Sequence, residues 1–133
     1  AASADQSGLM LVSDPDWPKA IERAAAEVDA LVVSYHFGEE YQLVPNARQK
    51  QLAELAIDRG ARIVVGHHPH VRQSVRRYRD GVIAYSLGNF IFDQNFSVET
   101  MAGLVLWVEL AGGHVVSIRE ETVKINEQFQ PVF

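Results

Sequence analysis

Three histidines within four residues form the strongest chemical signal in this sequence. His67, His68 and His70 follow directly on the apolar run 61–65, which is typical of a buried strand. Neutral imidazole is the commonest protein ligand for zinc and related metals, and it also moves protons readily near neutral pH. Because open α/β sheets place ligand sites at the carboxyl ends of strands, this cluster favours a metal or phosphate site. The alternative is a polar surface turn whose histidines hydrogen-bond to backbone groups.

A fourth histidine, His36, ends a second apolar run, 30–35, which also reads as a buried strand. An amphipathic helix is predicted between the two runs, over 47–59, with Gly60 as its C-terminal stop. Such a strand-helix-strand unit makes the two strands parallel, so their histidines should meet at one edge of the sheet. In an extended chain His68 and His70 would project to the same side.

Helices and hairpins account for the rest of the chain. A first helix is predicted from about residue 16 to 28, with Asp14 and Asp16 capping free amides at its start. Two hairpins are indicated by turns at Asp80-Gly81 and Gly112-Gly113, and they pair 71–78 with 82–86 and 104–110 with 114–118. We expect their antiparallel strands to finish the sheet. The predicted fold class is α/β, with a mixed β-sheet flanked by helices.

Composition narrows the function classes. The chain has 133 residues, a formal net charge of -5 and 47% hydrophobic residues, which allows one domain with a core and disfavours a nucleic-acid partner. With no cysteine, disulfides, thiolate nucleophiles and cysteine-type zinc sites are excluded. No apolar run reaches the length of about 20 residues that a membrane span needs. Residues 1–7 are polar, and we expect a flexible leader there.

Three segments together resemble one bacterial protein family. SYHFGEEY at 34–41, GHHPHV at 66–71 and YSLGNFIFDQ at 85–94 are similar to the capsule-synthesis CapA family of poly-γ-glutamate capsules, a branch of the calcineurin-like metallophosphoesterases. The resemblance implies an αββα sandwich with two divalent metal ions, such as Mn, Fe or Zn, at the strand ends. It also implies His36, His68 and His70 as metal ligands, with His67 replacing or assisting one of them or acting as a catalytic acid.

The chain departs from this family before His36. The aspartates and the Asn-His pair that complete the family's metal centre have no counterpart in the preceding 35 residues. We therefore expect residues 1–133 to be the C-terminal part of a larger domain, the C-terminal half of the sandwich. A histidine-only half-site should bind metal weakly, hold one ion and leave the isolated chain inactive. Its open edges should pair with the missing N-terminal half or with a second copy.

Three further residues are candidates for the site. Glu39 follows His36 closely and is a candidate general acid or base, although Glu39 and Glu40 are not separable on sequence. Arg72, two residues beyond His70, is a candidate for binding an anionic substrate. Asn89 is a candidate for substrate binding or for fastening the neighbouring loop by side-chain hydrogen bonds.

The expected function is capsule biosynthesis, with metal-dependent hydrolysis of a phosphoester or phosphoanhydride in the full-length protein. One alternative is a non-catalytic module that binds the capsule polymer or assembles with a membrane synthase. Another is a metal-dependent amide hydrolase that acts on poly-γ-glutamate. We expect an extracellular or membrane-associated location through an anchor upstream of Ala1, with a cytoplasmic location as the alternative.

Overall fold

The computed structural model describes residues 9–133, so the leader predicted at 1–7 lies outside the described part. The elements of that part follow in the order α1 (Trp17–Ala26), β1 (Leu31–His36), α2 (Ala47–Asp58), β2 (Ala61–His67), β3 (Val75–Tyr78), β4 (Gly81–Ala84), β5 (Ala102–Ala111), β6 (His114–Ile125) and β7 (Pro131–Val132). They form an α/β fold with a mixed sheet, as the alternation of apolar and amphipathic segments predicts.

The first sheet has four strands in the order β1-β2-β4-β3. β1 pairs with β2, and β2 with β4, in parallel, while β3 lies antiparallel to β4 at the far edge. The predicted parallel unit β1-α2-β2 is confirmed. Because parallel strands point the same way, His36 and His67 end their strands at one edge of the sheet.

Helix α2 is closed at both ends by its own sequence, close to the predicted bounds. At its start Asn46 Oδ1 accepts a hydrogen bond from the Gln49 backbone N–H at 2.9 Å, and Gln49 Oε1 accepts one from the Asn46 N–H at 3.1 Å. Gly60, at φ 106°, follows its last turn in a conformation that side chains disfavour. The buried face of α2 packs against the first sheet through Leu52, Ala53, Ala56 and Ile57.

Helix α1 and strand β1 differ from their predictions. α1 ends before Val28, which is half exposed. The Asp16 side chain makes no cap bond, while Asp14 accepts a hydrogen bond from the Asp16 backbone N–H at 2.9 Å just before the helix. β1 alternates between buried Tyr35 and exposed Val32 instead of being buried on both faces. The reason is that β1 is an edge strand of which α1 covers one face.

Strands β5, β6 and β7 form a second, antiparallel sheet, so the prediction that the later hairpin finishes the first sheet is wrong. The two sheets join along segment 86–89. There the Leu87 N–H donates to Gly66 O at 3.1 Å, and the Leu104 N–H donates to Leu87 O at 2.8 Å. Apolar side chains buried between the sheets are Ile63, Val82 and Val115. The helices pack on the opposite face of the first sheet, which makes the described part a partial α/β sandwich.

Candidate functional site

The four histidines of the sequence pattern meet at one edge of the first sheet. His36 and His67 are register partners at the ends of β1 and β2. The ring centroids of His36 and His68 lie 4.8 Å apart, and those of His68 and His70 lie 6.3 Å apart. The prediction that the strand-helix-strand unit brings His36 and His68 close together is confirmed.

An open cleft of about 400 Å³ lies over these rings. Its lining consists of the four histidines, segment 87–92 and Leu104. The lining outside the histidines is largely apolar, and the Phe92 ring centroid lies 4.9 Å from that of His70. Four imidazoles thus share with apolar side chains a space within the size range of small-molecule sites.

The histidine turn, residues 67–70, is not extended as the sequence suggests. His68 and His70 adopt positive φ values of 98° and 57°, a region that non-glycine residues rarely occupy. Two contacts hold the turn in this form: Pro69 is fully buried, and its carbonyl oxygen accepts a hydrogen bond from the Tyr41 N–H at 2.8 Å. These tertiary contacts override the local preference for extended chain. Strain of this kind persists where the surroundings over-determine the backbone, and it concentrates at functional sites.

His67 differs electrostatically from a free histidine. Although its ring is partly open to solvent, loss of hydration lowers its pKa from the ordinary value of 6.5, and charge repulsion by the neighbouring His36 lowers the pKa further. His67 is therefore neutral at pH 7, with one ring nitrogen able to accept a proton or bind a metal.

The residues around the cleft fit a share of a metal centre. The imidazole rings of His36 and His68 lie side by side, and Nδ1 of His70 is engaged by Asn89 Oδ1 at 2.9 Å, as is usual for metal-binding histidines. Among residues 9–133, however, no group of three or more His, Asp or Glu side chains is close enough to hold an ion. A complete donor set needs further ligands or a shift of these rings.

Glu39 and Arg72 lie away from the histidine cleft. Glu39 is exposed, and its Oε1 accepts a hydrogen bond from Asn46 Nδ2 at 3.4 Å, beside the start of α2. The Arg72 guanidinium donates to Thr122 Oγ1 at 2.6 Å and lines a different cleft together with Lys124. Asn89, by contrast, lines the histidine cleft and is only 5% exposed.

Two loops near the cleft contribute residues that sequence reasoning missed. Tyr41 accepts a hydrogen bond at its hydroxyl from Gln94 Nε2 at 3.1 Å, and its ring packs edge-on against Phe96. In addition, Gln49 Nε2 donates to Gln73 Oε1 at 2.8 Å, and both side chains are buried. A pairing of amides 24 residues apart leaves no local pattern. The polar run 93–95, Asp-Gln-Asn, was the one available signal for Gln94.

Glycine at position 66 permits a close approach of β2 to the backbone of Tyr85, directly before the histidine turn. A Cβ atom there would lie 1.9 Å from the carbonyl oxygen of Tyr85 and 2.6 Å from the Phe37 ring. Since real Cβ atoms do not approach backbone this closely, any side chain at this position would push β2 away from the neighbouring segment. The residue directly before the histidine turn must therefore be glycine.

Comparison with known proteins finds similarity along most of the chain. The family model for the bacterial capsule synthesis protein PGA_cap matches residues 2–94. The chain is 43% identical over 108 residues to the capsule biosynthesis protein CapA of Bacillus anthracis, an alignment that covers 78% of this chain and 26% of that protein. It is 44% identical over 106 residues to the PGA biosynthesis protein CapA of Bacillus subtilis, covering 79% of this chain and 28% of that protein.

The chain spans about a quarter of the length of these two relatives. The family match includes all four histidines of the cleft, and also Glu39, Arg72 and Asn89. Among residues 9–133 no helix has the length and apolar character needed to cross a membrane.

Proposed function

Because this chain belongs to the bacterial capsule synthesis protein family, we propose that it forms part of a metal-dependent hydrolytic site in a protein of poly-γ-glutamate capsule biosynthesis. The observation that carries this proposal is the meeting of four histidines in one cleft at the carboxyl edge of parallel strands. Imidazole clusters in such a position suit metal binding and proton transfer better than they suit structural packing.

Each histidine has a proposed role. His36, His68 and His70 hold a divalent ion of manganese, iron or zinc, together with donors from outside the described residues. When bound, such an ion stabilises the negative charge that develops during hydrolysis and activates water. His67, in register with His36 at the strand ends, moves a proton at a ring nitrogen.

The proposed substrate is a phosphoester or phosphoanhydride. That reaction does not require the poly-γ-glutamate polymer itself. The alternative substrate is an amide bond of the polymer, since a metal site can activate water for attack on either a phosphorus atom or a carbonyl carbon. Neither Glu39 nor Arg72 lines the histidine cleft, so in the intact protein their proposed roles as acid or base and as anion ligand require a substrate that extends beyond it.

A second candidate function is a non-catalytic module that binds polymer or assembles with a membrane synthase. It is favoured by the incomplete donor set, since the residues described at 9–133 hold no group of three metal-binding side chains. In this case the histidine cleft receives a polymer end or a partner segment. The proposed partners, which are the rest of the domain or a second copy, then complete a binding surface rather than a reaction site.

The deciding experiment measures hydrolysis by the intact protein that carries this chain, with and without Mn²⁺ after treatment with a chelator. An aryl phosphate and poly-γ-glutamate serve as the two substrates. We expect manganese-dependent hydrolysis of the phosphate, lost by more than about 100-fold in His68→Ala because a ligand and its charge stabilisation are removed. The matched control is His114→Ala, which removes an exposed histidine of the second sheet.

Polymer shortening in place of phosphate release would assign the amide reaction. Polymer binding that survives both the chelator and His68→Ala, with no hydrolysis of either substrate, would assign the binding module. The 133-residue chain by itself should be inactive on both substrates, because the donors found among residues 9–133 are incomplete. Robust manganese-dependent turnover by that chain would contradict the proposal that donors come from elsewhere.

A further inference from the structure

A chain of hydrogen bonds leads from His70 in the histidine cleft to Tyr41, in the loop between β1 and α2. His70 Nδ1 lies 2.9 Å from Asn89 Oδ1. The amide nitrogen of Asn89 donates to the Thr100 carbonyl oxygen at 2.9 Å and to Gln94 Oε1 at 3.4 Å, and Gln94 Nε2 donates to the Tyr41 hydroxyl at 3.1 Å. The centre of this chain is buried, because Asn89 is 5% exposed and Thr100 is fully enclosed.

The network decides which atoms carry protons. A carbonyl oxygen only accepts, so the Asn89 atom that faces Thr100 must be its NH₂ group, and the atom that faces His70 must be its oxygen. An amide oxygen also only accepts, so Nδ1 of His70 must donate. A neutral His70 therefore carries its proton on Nδ1 and leaves Nε2 with a free lone pair.

The backbone gives His70 a particular need for such support. Its φ of 57° and that of His68 at 98° are both unfavourable for side-chain-bearing residues. Within residues 9–133, the ring of His70 is hydrogen-bonded to a side chain, while the rings of His36 and His68 are not. Packing against Phe92 on the cleft side restrains the ring further. Asn89 thus supports the ring of His70, one of the two histidines carried at positive φ by the strained turn.

We propose that Asn89 is a positioning residue that fixes the Nδ1–H tautomer of His70 and so presents Nε2 to the ligand of the cleft. Gln94 holds the Asn89 amide from the other side and connects it to Tyr41, whose own N–H holds Pro69 in the histidine turn. The loops that carry Tyr41 and Gln94 thereby determine whether Nε2 of His70 is free of a proton. That Nε2 receives a metal ion or a proton rests on the proposed function, whereas the tautomer itself does not.

The test is a nuclear magnetic resonance measurement of the histidine ring nitrogens in the intact, metal-free protein above pH 7.5, with ¹⁵N-labelled histidine. The His70 signals are identified by their loss in His70→Gln. We expect a protonated-type Nδ1 and an unprotonated-type Nε2 in the unmodified protein. Asn89→Leu should shift His70 toward the Nε2–H tautomer, which is preferred by free histidine, and Asn89→Asp should retain Nδ1–H because a carboxylate oxygen still accepts.

Two further variants separate positioning from folding. Gln94→Leu leaves the buried Asn89 in place. It should therefore give a mixture of the two His70 tautomers, with a smaller shift toward Nε2–H than Asn89→Leu gives. Asn126→Ala, which removes a turn-closing amide in the second sheet, should leave the His70 signals unchanged. Circular dichroism reports whether each variant is folded. An Nε2–H tautomer in the unmodified protein overturns the inference without any variant.

Binding of Mn²⁺ or Zn²⁺, followed by calorimetry, tests the use of the tautomer separately. Loss of an orienting partner of a metal-binding histidine typically weakens affinity by about 10- to 100-fold, which we expect for Asn89→Leu with recovery in Asn89→Asp. An Nδ1–H tautomer together with no metal binding would support the positioning role and contradict the proposed metal site. Unchanged metal affinity in a folded Asn89→Leu variant that has lost the tautomer would overturn the link between Asn89 and the ligand.

Discussion

The histidine turn at 67–70 and the hairpin turn between β5 and β6 both reverse the chain through two residues at positive φ. In the hairpin turn these residues are Gly112 at 56° and Gly113 at 76°, whereas in the histidine turn they are His68 at 98° and His70 at 57°. Glycine adopts this conformation without a steric penalty, and for other residues it costs of order 1–3 kcal/mol each. The histidine turn therefore retains side chains at a cost in stability that the hairpin turn avoids.

The two turns are also held differently. A side chain from the first sheet fastens the hairpin turn, where Arg62 Nε donates to Gly113 O at 3.0 Å. The histidine turn is fastened through its backbone at Pro69 and through one of its own side chains at His70. A turn that serves only to connect strands needs no side chains of its own. A turn whose side chains have a function must be supported from several directions.

The largest loss of stability should come from a glycine substitution that creates a steric clash, and a smaller loss from one that only imposes an unfavourable φ. In Gly66→Ala the new methyl group would meet the Tyr85 carbonyl oxygen, and we expect a loss of about 3 kcal/mol or more in the free energy of unfolding. In Gly112→Ala nothing lies within 4 Å, so only the positive φ is penalised, by about 1 kcal/mol. Urea unfolding of both variants measures the difference. Equal losses would mean that the approach of segment 85–87 to β2 is not what requires glycine at position 66.

A smaller effect of opposite sign is expected at His68. His68→Gly removes an imidazole from a position at φ 98° and should raise the free energy of unfolding by about 1 kcal/mol while it abolishes metal binding. The matched variant His114→Gly alters the first residue of β6, where glycine weakens a strand, and it should lower stability by about 0.5–1 kcal/mol. Thermal unfolding and Mn²⁺ titration provide the two readouts. Destabilisation by His68→Gly would show that the turn is not strained.

The smallest effect concerns protonation within the histidine turn. In the metal-free protein the pKa of His67 should lie below 6.5, and His36→Ala should raise it only part of the way back, since desolvation is the larger cause. The lowered pKa makes stability depend on pH. As pH falls from the unfolded pKa of His67 to its lower folded pKa, the unfolded state takes up the proton first and the protein loses stability. Above that interval His67 has no effect. A histidine ¹³C chemical-shift titration measures the pKa of His67. A value above 6.5 would contradict the lowering by desolvation and by repulsion from His36.

The first half of the fold was predictable because its signals are local. Asn46 and Gly60 mark the ends of α2 within one residue of the prediction, and the parallel direction of the two strands in a strand-helix-strand unit then places His36 beside the histidine turn. The second half depends on contacts that have no local signature. Each hairpin was recognised from its turn, but which sheet it joins is decided by the approach of Gly88 to Gly103, residues that lie in separate segments of the chain.

The site was predictable in its residue types and less so in its geometry. The spacing of His68 and His70 suggested an extended segment, and the bond between the Tyr41 N–H and the Pro69 carbonyl produces a different backbone. Asn89 was identified with two possible roles, and its contact with His70 was not foreseen because 19 residues separate them. Single-sequence patterns report preferences of short segments, whereas the geometry of a site is set by the loops that pack around it.

The junction at segment 86–89 has a consequence for how the protein opens. Leu87 is bonded to Gly66 of the first sheet on one side and to Leu104 of the second on the other, and Asn89 follows two residues later. Because Asn89 is also bonded to the second sheet, through its N–H to Ala102 O, we expect a fluctuation that separates the sheets to release Asn89 from its place beside His70. The amide protons of Leu87 and Leu104 should exchange with solvent in a single opening event, and that event dismantles the cleft. If the cleft and the sheet junction form one cooperative unit, ligand binding in the cleft should slow the exchange of both amides together.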